Sequence, residues 1–116
     1  LMQFCKIVVE SINKKAINKY VNSDKLKDAQ GQTLGSIGQL GVLFNELNIL
    51  SGNKLIKSLK LVYNSRNKLS GHTASLKAYN ILWKREEDYS PNWITDSKIL
   101  ISSVNDALND LIEELM

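Results

Sequence analysis

A chain of 116 residues is one domain's worth of sequence, and its single cysteine excludes an intramolecular disulfide framework. With one histidine besides that cysteine, a zinc site is not expected, and no apolar run approaches the roughly 20 residues that span a membrane. The net charge of +3 is small, so total charge does not define a partner.

The composition favours a helical domain. No signal-peptide pattern opens the chain and the single cysteine fits a reducing compartment, so we expect a cytoplasmic protein. We also expect it to use no metal and no cofactor. We treat residues 1–116 as a single domain; because the sequence begins at Leu1 rather than at a methionine, a longer parent chain is the alternative. One proline and 6 glycines favour long helices over many short strands, which predicts an all-α fold.

The first predicted helix covers residues 1–22. Its apolar side chains recur at helical spacing: Met2, Cys5, Val8 or Val9, Ile12, Ala16 and Tyr20. Glu10 lies beside this stripe, and two interpretations stay open for it. It is either an exposed carboxylate that pairs with Lys14 one turn later, or a buried acid that holds a cation. Residues 22–24 form a turn and capping signal.

A second helix is predicted from a cap at Thr33 to about Leu50. Gly35, Gly38 and Gly41 repeat every third residue within it, at a cost of up to about 1 kcal/mol each against alanine. The repeat predicts a smooth strip where another helix approaches closely. A glycine-rich phosphate loop is the alternative, although no strand precedes it and no Gly-Lys-Ser/Thr follows.

The third predicted helix, from about residue 54 to 70, carries a charge in an unexpected place. Leu55, Leu59 and Val62 form a buried stripe at three- and four-residue steps, and Arg66 occupies the next position on it. A guanidinium stays charged and is costly to bury alone. Arg66 therefore requires either a second surface that accepts a cation or a buried carboxylate partner.

Positive charge and a histidine surround the end of this helix. Gly71 is expected to stop the helix and to leave His72 just beyond its last turn. No acidic residue lies between Glu46 and Glu86, whereas the chain after Glu86 is acidic. This segregation indicates a phosphate-bearing partner on the basic side, a solvated face or the docking of like chains, and charge alone does not decide between these interpretations.

The remaining sequence completes the predicted architecture. Residues 73–95 are expected to form a short amphipathic helix or an ordered loop, with the charged run at residues 84–88 in solvent. Thr95 or Asp96 is expected to cap a last helix that continues to the C terminus. Four main helices with short connections predict an antiparallel bundle, with short extra helical segments beside it.

Arg66 and His72 together indicate phosphate chemistry. Arginine binds a phosphate through two parallel hydrogen bonds, and histidine can transfer a proton near neutral pH. The pair would support RNA cleavage without a metal, with His72 exchanging a proton and Arg66 stabilising the phosphorane. Since one histidine cannot easily make both proton transfers, a two-fold dimer with a shared cleft is favoured. The alternative is structural: Arg66 pairs with Glu10 or Glu46, and His72 caps the helix.

The segment from Arg66 to His72, RNKLSGH, resembles the signature of the HEPN superfamily. It is especially similar to HEPN domains at the C termini of bacterial abortive-infection proteins. Glu10 in the first helix, residues 33–37 in the second and a final helix after the motif also resemble the family's layout. The resemblance implies a helical bundle and a homodimer in which Arg and His of both protomers line one cleft. In many members it implies metal-independent endoribonuclease activity in phage defence or toxin–antitoxin systems.

This resemblance suggests a role for each residue. His72 is the expected acid and base, Arg66 the phosphate clamp, Asn67 an orienting residue and Glu10 a supporting acid. The expected RNA-binding residues lie on the same helix as the arginine: Lys57, Lys60 and Lys68. The expected partners are RNA, a second copy of the chain, and an antitoxin or a preceding domain. The alternative function is a non-catalytic module for RNA or nucleotide binding, or for dimerisation.

Overall fold

The computed structural model of the chain describes residues 12–69 and 75–116, and the regular structure in these ranges is helical. The elements are α1 (Lys14–Asn18), a 3₁₀ turn (Ser23–Leu26), α2 (Ser36–Glu46), α3 (Gly52–Leu69), α4 (Leu76–Leu82) and α5 (Trp93–Leu115). Within the described ranges the β-type pairing is one isolated bridge between Lys27 and Thr33. The predicted all-α fold is confirmed for these residues.

The first predicted helix is shorter in its described part than the sequence pattern indicated. Asn13 caps α1 by accepting a hydrogen bond from the Ala16 N–H at 3.1 Å, and the helix ends at Asn18. The side chain of Asn22 then accepts from the Asp24 N–H and starts the 3₁₀ turn. Residues 1–11, which include Glu10, lie outside the described residues.

Helix α2 is also shorter than the predicted span. Thr33 belongs to the bridge rather than to a cap, and Gly35, extended at ψ 177°, precedes the first turn without a side-chain cap. The helix ends before Asn48, whose φ of 56° is a left-handed conformation that asparagine tolerates better than most residues. Backbone conformation at both ends, rather than the apolar pattern, therefore sets the length of α2.

The predicted caps of the last helix, Thr95 and Asp96, are wrong. Asn92 caps α5, because its side-chain oxygen accepts a hydrogen bond from the Thr95 N–H at 3.1 Å. Asp96 consequently lies inside the first turn of α5, where it is buried.

The main core lies between α3 and α5. Buried side chains of α3 (Leu55, Leu59 and Val62) belong to the same cluster as Leu100 and Val104 of α5. Burial of side chains of this size contributes about 1.5–3 kcal/mol each relative to exposure. The predicted apolar stripe of α3 is therefore confirmed from Leu55 to Val62.

Polar contacts show that α3 and α5 run in opposite directions. Lys54, near the start of α3, pairs with Asp110 near the end of α5 at 2.8 Å. One turn later in α3, the hydroxyl oxygens of Ser58 and Ser103 lie 2.7 Å apart. The Glu114 carboxylate also accepts hydrogen bonds from the backbone just before α3. None of the helices in the described part of the chain is long and apolar enough to cross a membrane.

The predicted strip of close helix contact along the α2 glycines is wrong. A Cβ at Gly35 would meet nothing within 4 Å, and a Cβ at Gly38 would meet only the nearby Leu34 side chain. A Cβ at Gly41 would lie 3.8 Å from Ile56, which is an ordinary van der Waals distance. Gly35 and Gly38 instead leave one side of α2 open.

Close approach occurs at Gly52, the first residue of α3, where a Cβ would overlap the ring of Phe44. We expect Gly52→Ala to lower the free energy of unfolding by about 1–3 kcal/mol, because the buried ring must move. The matched control is Gly41→Ala, which has room for the methyl group and should be neutral or stabilise by up to about 1 kcal/mol. Urea titration of both variants measures the difference; equal stabilities would contradict the packing at Gly52.

Candidate functional site

Arg66 lies at the edge of the buried stripe of α3, not on it. The next fully buried position after Val62 is Ser65, whose hydroxyl accepts a hydrogen bond from the Trp83 indole N–H at 2.9 Å. Arg66 is half-buried. The predicted placement of its side chain in a core position is therefore wrong, because Trp83 covers the stripe at Ser65 and leaves Arg66 beside it.

Arg66 contributes to a groove of about 670 Å³. We call this the basic groove, because its lining includes the cations Lys14 of α1, Lys60 of α3 and Arg66. Within the described residues neither Lys14 nor Lys60 forms an ion pair with a carboxylate. The groove is consequently electropositive and suited to an anionic ligand.

The opposite wall of the basic groove is the start of α2. Gly35 and Gly38 present no side chains there, and Ser36 and Ile37 complete the wall. The first backbone N–H groups of a helix have no intrahelical acceptor, and no side chain caps them here. Together with the helix dipole they add positive potential to that of the cations.

The structure brings together part of the predicted site. Lys60 and Arg66 line the basic groove, whereas Asn67, Lys57 and Lys68 are exposed on α3 outside its lining. Asn67 and Lys68 follow Arg66 by one and two residues and therefore point in different directions from it. Lys57 precedes Arg66 by nine residues, or two and a half helical turns, and lies on the opposite side of the helix from it. The assignment of Asn67, Lys57 and Lys68 to one site with Arg66 is therefore not supported by the groove.

Two predicted residues cannot be placed. His72 and Glu10 lie outside the described residues, so the Arg66–His72 pair and the supporting acid stay predictions. The other carboxylate proposed for Arg66, Glu46, pairs with Lys25 at 2.8 Å.

Seven residues of the basic groove were not predicted as site residues: Lys14, Gly35, Ser36, Ile37, Gly38, Tyr63 and Asn64. Tyr63 and Asn64 follow Lys60 by three and four residues, so the helical periodicity could have identified them. Lys14 is distant in sequence and could not be found without the packing of α1 against α2.

A second polar cluster lies between α4 and the start of α5. We call it the Asp96 cluster; it consists of Tyr79, Arg85 and Asp96. Arg85 donates two hydrogen bonds to the Asp96 carboxylate at 2.8 and 2.7 Å, and the Tyr79 hydroxyl donates a third at 2.7 Å. The prediction that the run at residues 84–88 is solvated is thus wrong for Arg85, whose side chain is 19% exposed.

Aromatic rings enclose Arg85. Its guanidinium carbon lies 4.6 Å from the ring centroid of Trp83 and 4.8 Å from that of Tyr89, distances at which cation–π attraction operates. The Arg85 guanidinium holds the pKa of the Asp96 carboxyl below its usual range, and burial together with the Asp96 contact raises the pKa of Tyr79. Because the carboxylate accepts these hydrogen bonds from α4 and the residues that follow it, the Asp96 cluster joins α4 to α5.

In residues 12–69 and 75–116 no three His, Cys, Asp or Glu side chains lie close enough together to hold a metal ion. Comparison with protein-family models, with curated proteins and with solved structures finds no match to this chain. The features of this chain that bear on function are the basic groove and the sequence motif that begins at Arg66.

Proposed function

We propose that the chain is a HEPN-type, metal-independent endoribonuclease domain that acts as a homodimer in phage defence or a toxin–antitoxin system. The observation that carries this proposal is the position of Arg66 at the basic groove. The side chain that the motif assigns to phosphate binding lies beside two further cations and the open start of α2. Packed helices throughout the described ranges are compatible with the proposed antiparallel HEPN-like bundle.

The proposed reaction is an internal transesterification. The ribose 2′-oxygen attacks the adjacent phosphorus, the bond from phosphorus to the 5′-oxygen breaks, and the products are a 2′,3′-cyclic phosphate and a 5′-hydroxyl. His72 of one protomer would take the 2′-hydroxyl proton, and His72 of the other would protonate the leaving oxygen. Arg66 would stabilise the charge that develops on the phosphorane oxygens.

A homodimer requires a surface that a second copy can cover. Helix α5 leaves large apolar side chains exposed along its length: Ile94, Ile101, Leu108, Ile112 and Leu115. Exposed apolar side chains that line one face of a helix are typical of an interface. Sedimentation should report a dimer; a monomer at micromolar concentration would contradict this part of the proposal.

Cleavage of RNA in the presence of EDTA tests the proposed activity. We expect the wild-type protein to produce fragments that end in a 2′,3′-cyclic phosphate, and His72→Ala to reduce the rate by about 100-fold or more, because proton transfer contributes 10²–10⁴-fold. The matched control removes a ring from an exposed position outside the groove, as in Tyr20→Ala. Equal cleavage by all three proteins would identify a contaminating nuclease and reject the proposal.

One observation favours the alternative of a non-catalytic RNA-binding module. The described side chains of the basic groove bind phosphates and bases well, but Lys60, Arg66 and Asn64 are poor proton-transfer groups at neutral pH. Salt-dependent RNA binding without any EDTA-resistant cleavage would support this alternative and count against turnover.

A further inference from the structure

Tyr63 lies between two cations on the groove side of α3. Lys60 precedes it by three residues and Arg66 follows it by three, and all three side chains line the basic groove. Positions three apart on a helix have Cβ atoms about 5–6 Å from each other. The groove therefore presents a cation, an aromatic ring and a second cation in sequence along one face.

The Tyr63 ring is available to a ligand. Its side chain is 41% exposed, and within the described residues it makes no hydrogen bond and no contact with another ring. By contrast, the aromatic side chains of the Asp96 cluster and its neighbours are occupied: Tyr79 is fully buried, and Trp83 and Tyr89 enclose Arg85. A large ring left open in a charged groove is the arrangement that stacks a flat partner.

We infer that Tyr63 is a base-stacking platform and that the basic groove binds single-stranded RNA. The inference rests on the proposed function, because it takes RNA as the ligand. A single strand alternates phosphates with bases that are free to turn outward, so its phosphates meet Lys60 and Arg66 while a base stacks on Tyr63. The bases of a duplex are already stacked inside the helix and cannot reach the ring.

The wall opposite Tyr63 has room for the backbone of the strand. Gly35 and Gly38 carry no side chains there, and Lys14 of α1 adds charge to the groove. A phosphate can therefore approach the α2 side while the base remains on Tyr63. The affinity for RNA would fall with rising salt concentration, because the phosphates bind to cations. It would also fall when the base is removed, because the base stacks on the Tyr63 ring.

Binding of uncleavable oligonucleotides tests the inference without turnover. The probes are a short 2′-O-methyl oligouridylate, its abasic counterpart and a 2′-O-methyl duplex of the same length, followed by fluorescence anisotropy. Wild type should bind the single strand roughly 5- to 100-fold more tightly than the abasic strand, the range measured for stacking on aromatic side chains. Tyr63→Leu should abolish this preference, and Tyr63→Phe should retain it.

The matched control is Tyr20→Leu, which removes a tyrosine that is 73% exposed and lies outside the groove lining. It should behave as wild type. Equal binding of the base-bearing and abasic strands by wild type, or an unchanged preference in Tyr63→Leu, would overturn the inference. Binding of these probes with the expected preference, together with no cleavage of unmodified RNA in EDTA, would reject the ribonuclease and leave the stacking site standing, whereas absence of all binding would reject both.

Discussion

Replacement of Asp96 by asparagine is expected to lower the free energy of unfolding by about 3–5 kcal/mol at neutral pH, the range observed when one partner of a buried ion pair is removed. Asp96 is buried, and its carboxylate accepts two hydrogen bonds from Arg85 and one from Tyr79. An amide would leave the largely buried guanidinium without a counter-charge and would place an amide N–H₂ against one of these donors.

The loss of stability caused by Asp96→Asn should depend on pH. Because Arg85 lowers the pKa of Asp96, the ionised carboxylate contributes stability above the unfolded pKa of about 3.9. That contribution is lost as the pH falls through the lower pKa of the folded state. The difference in stability between wild type and Asp96→Asn should therefore be largest at neutral pH and shrink in strong acid.

Chemical denaturation between pH 3 and pH 7 measures this difference. The matched control is Asp88→Asn, the same substitution at an exposed position eight residues earlier, which should change stability by less than about 0.5 kcal/mol. Similar stabilities for the two variants at pH 7, or a gap that does not change with pH, would show that the Asp96 cluster does not hold α4 against α5.

The helices could be predicted because their signals are local. The stripe from Leu55 to Val62 identified α3 and its buried face, and the regular apolar spacing after Trp93 identified α5. The ends of the helices were predicted less well. They depend on single residues such as Asn48, with its left-handed backbone, and Asn92, whose side chain reaches the Thr95 N–H.

The Asp96 cluster could not have been predicted from local pattern. Arg85 lies in a run of charges that is typical of a solvated turn, and Asp96 resembles a helix cap. Their pairing depends on how α4 turns back onto α5, which places Trp83 and Tyr89 around the guanidinium. Charges brought together by tertiary packing leave no periodic signal in the sequence.

The candidate site could be predicted only where its residues lie on the same helix. Lys60 and Arg66 share α3, so their common location follows from helical spacing. Lys14 and the glycine wall of α2 join them only through packing of separate elements. The glycine repeat was itself visible in the sequence, but its predicted use against another helix was wrong, because Gly35 and Gly38 face the open groove.

Replacement of Arg66 by alanine is expected to reduce the rate constant of RNA cleavage by about 100- to 1,000-fold, the loss that follows removal of one donor to a developing negative charge. A phosphorane carries more charge on its oxygens than the phosphodiester does, so the guanidinium should contribute more to the transition state than to the bound RNA. Arg66→Lys should recover only part of the rate, because lysine keeps the charge but not the two parallel donors.

Single-turnover kinetics separates these contributions. Lys98→Ala removes an exposed cation of α5 that does not line the basic groove, and it should retain the wild-type rate. Thermal melting of each variant checks that it is folded. If Arg66→Ala weakens RNA binding and leaves the cleavage rate of bound RNA unchanged, Arg66 acts on the ground state. Arg66 would then be an RNA-binding residue, and its assignment to stabilisation of the phosphorane would be wrong.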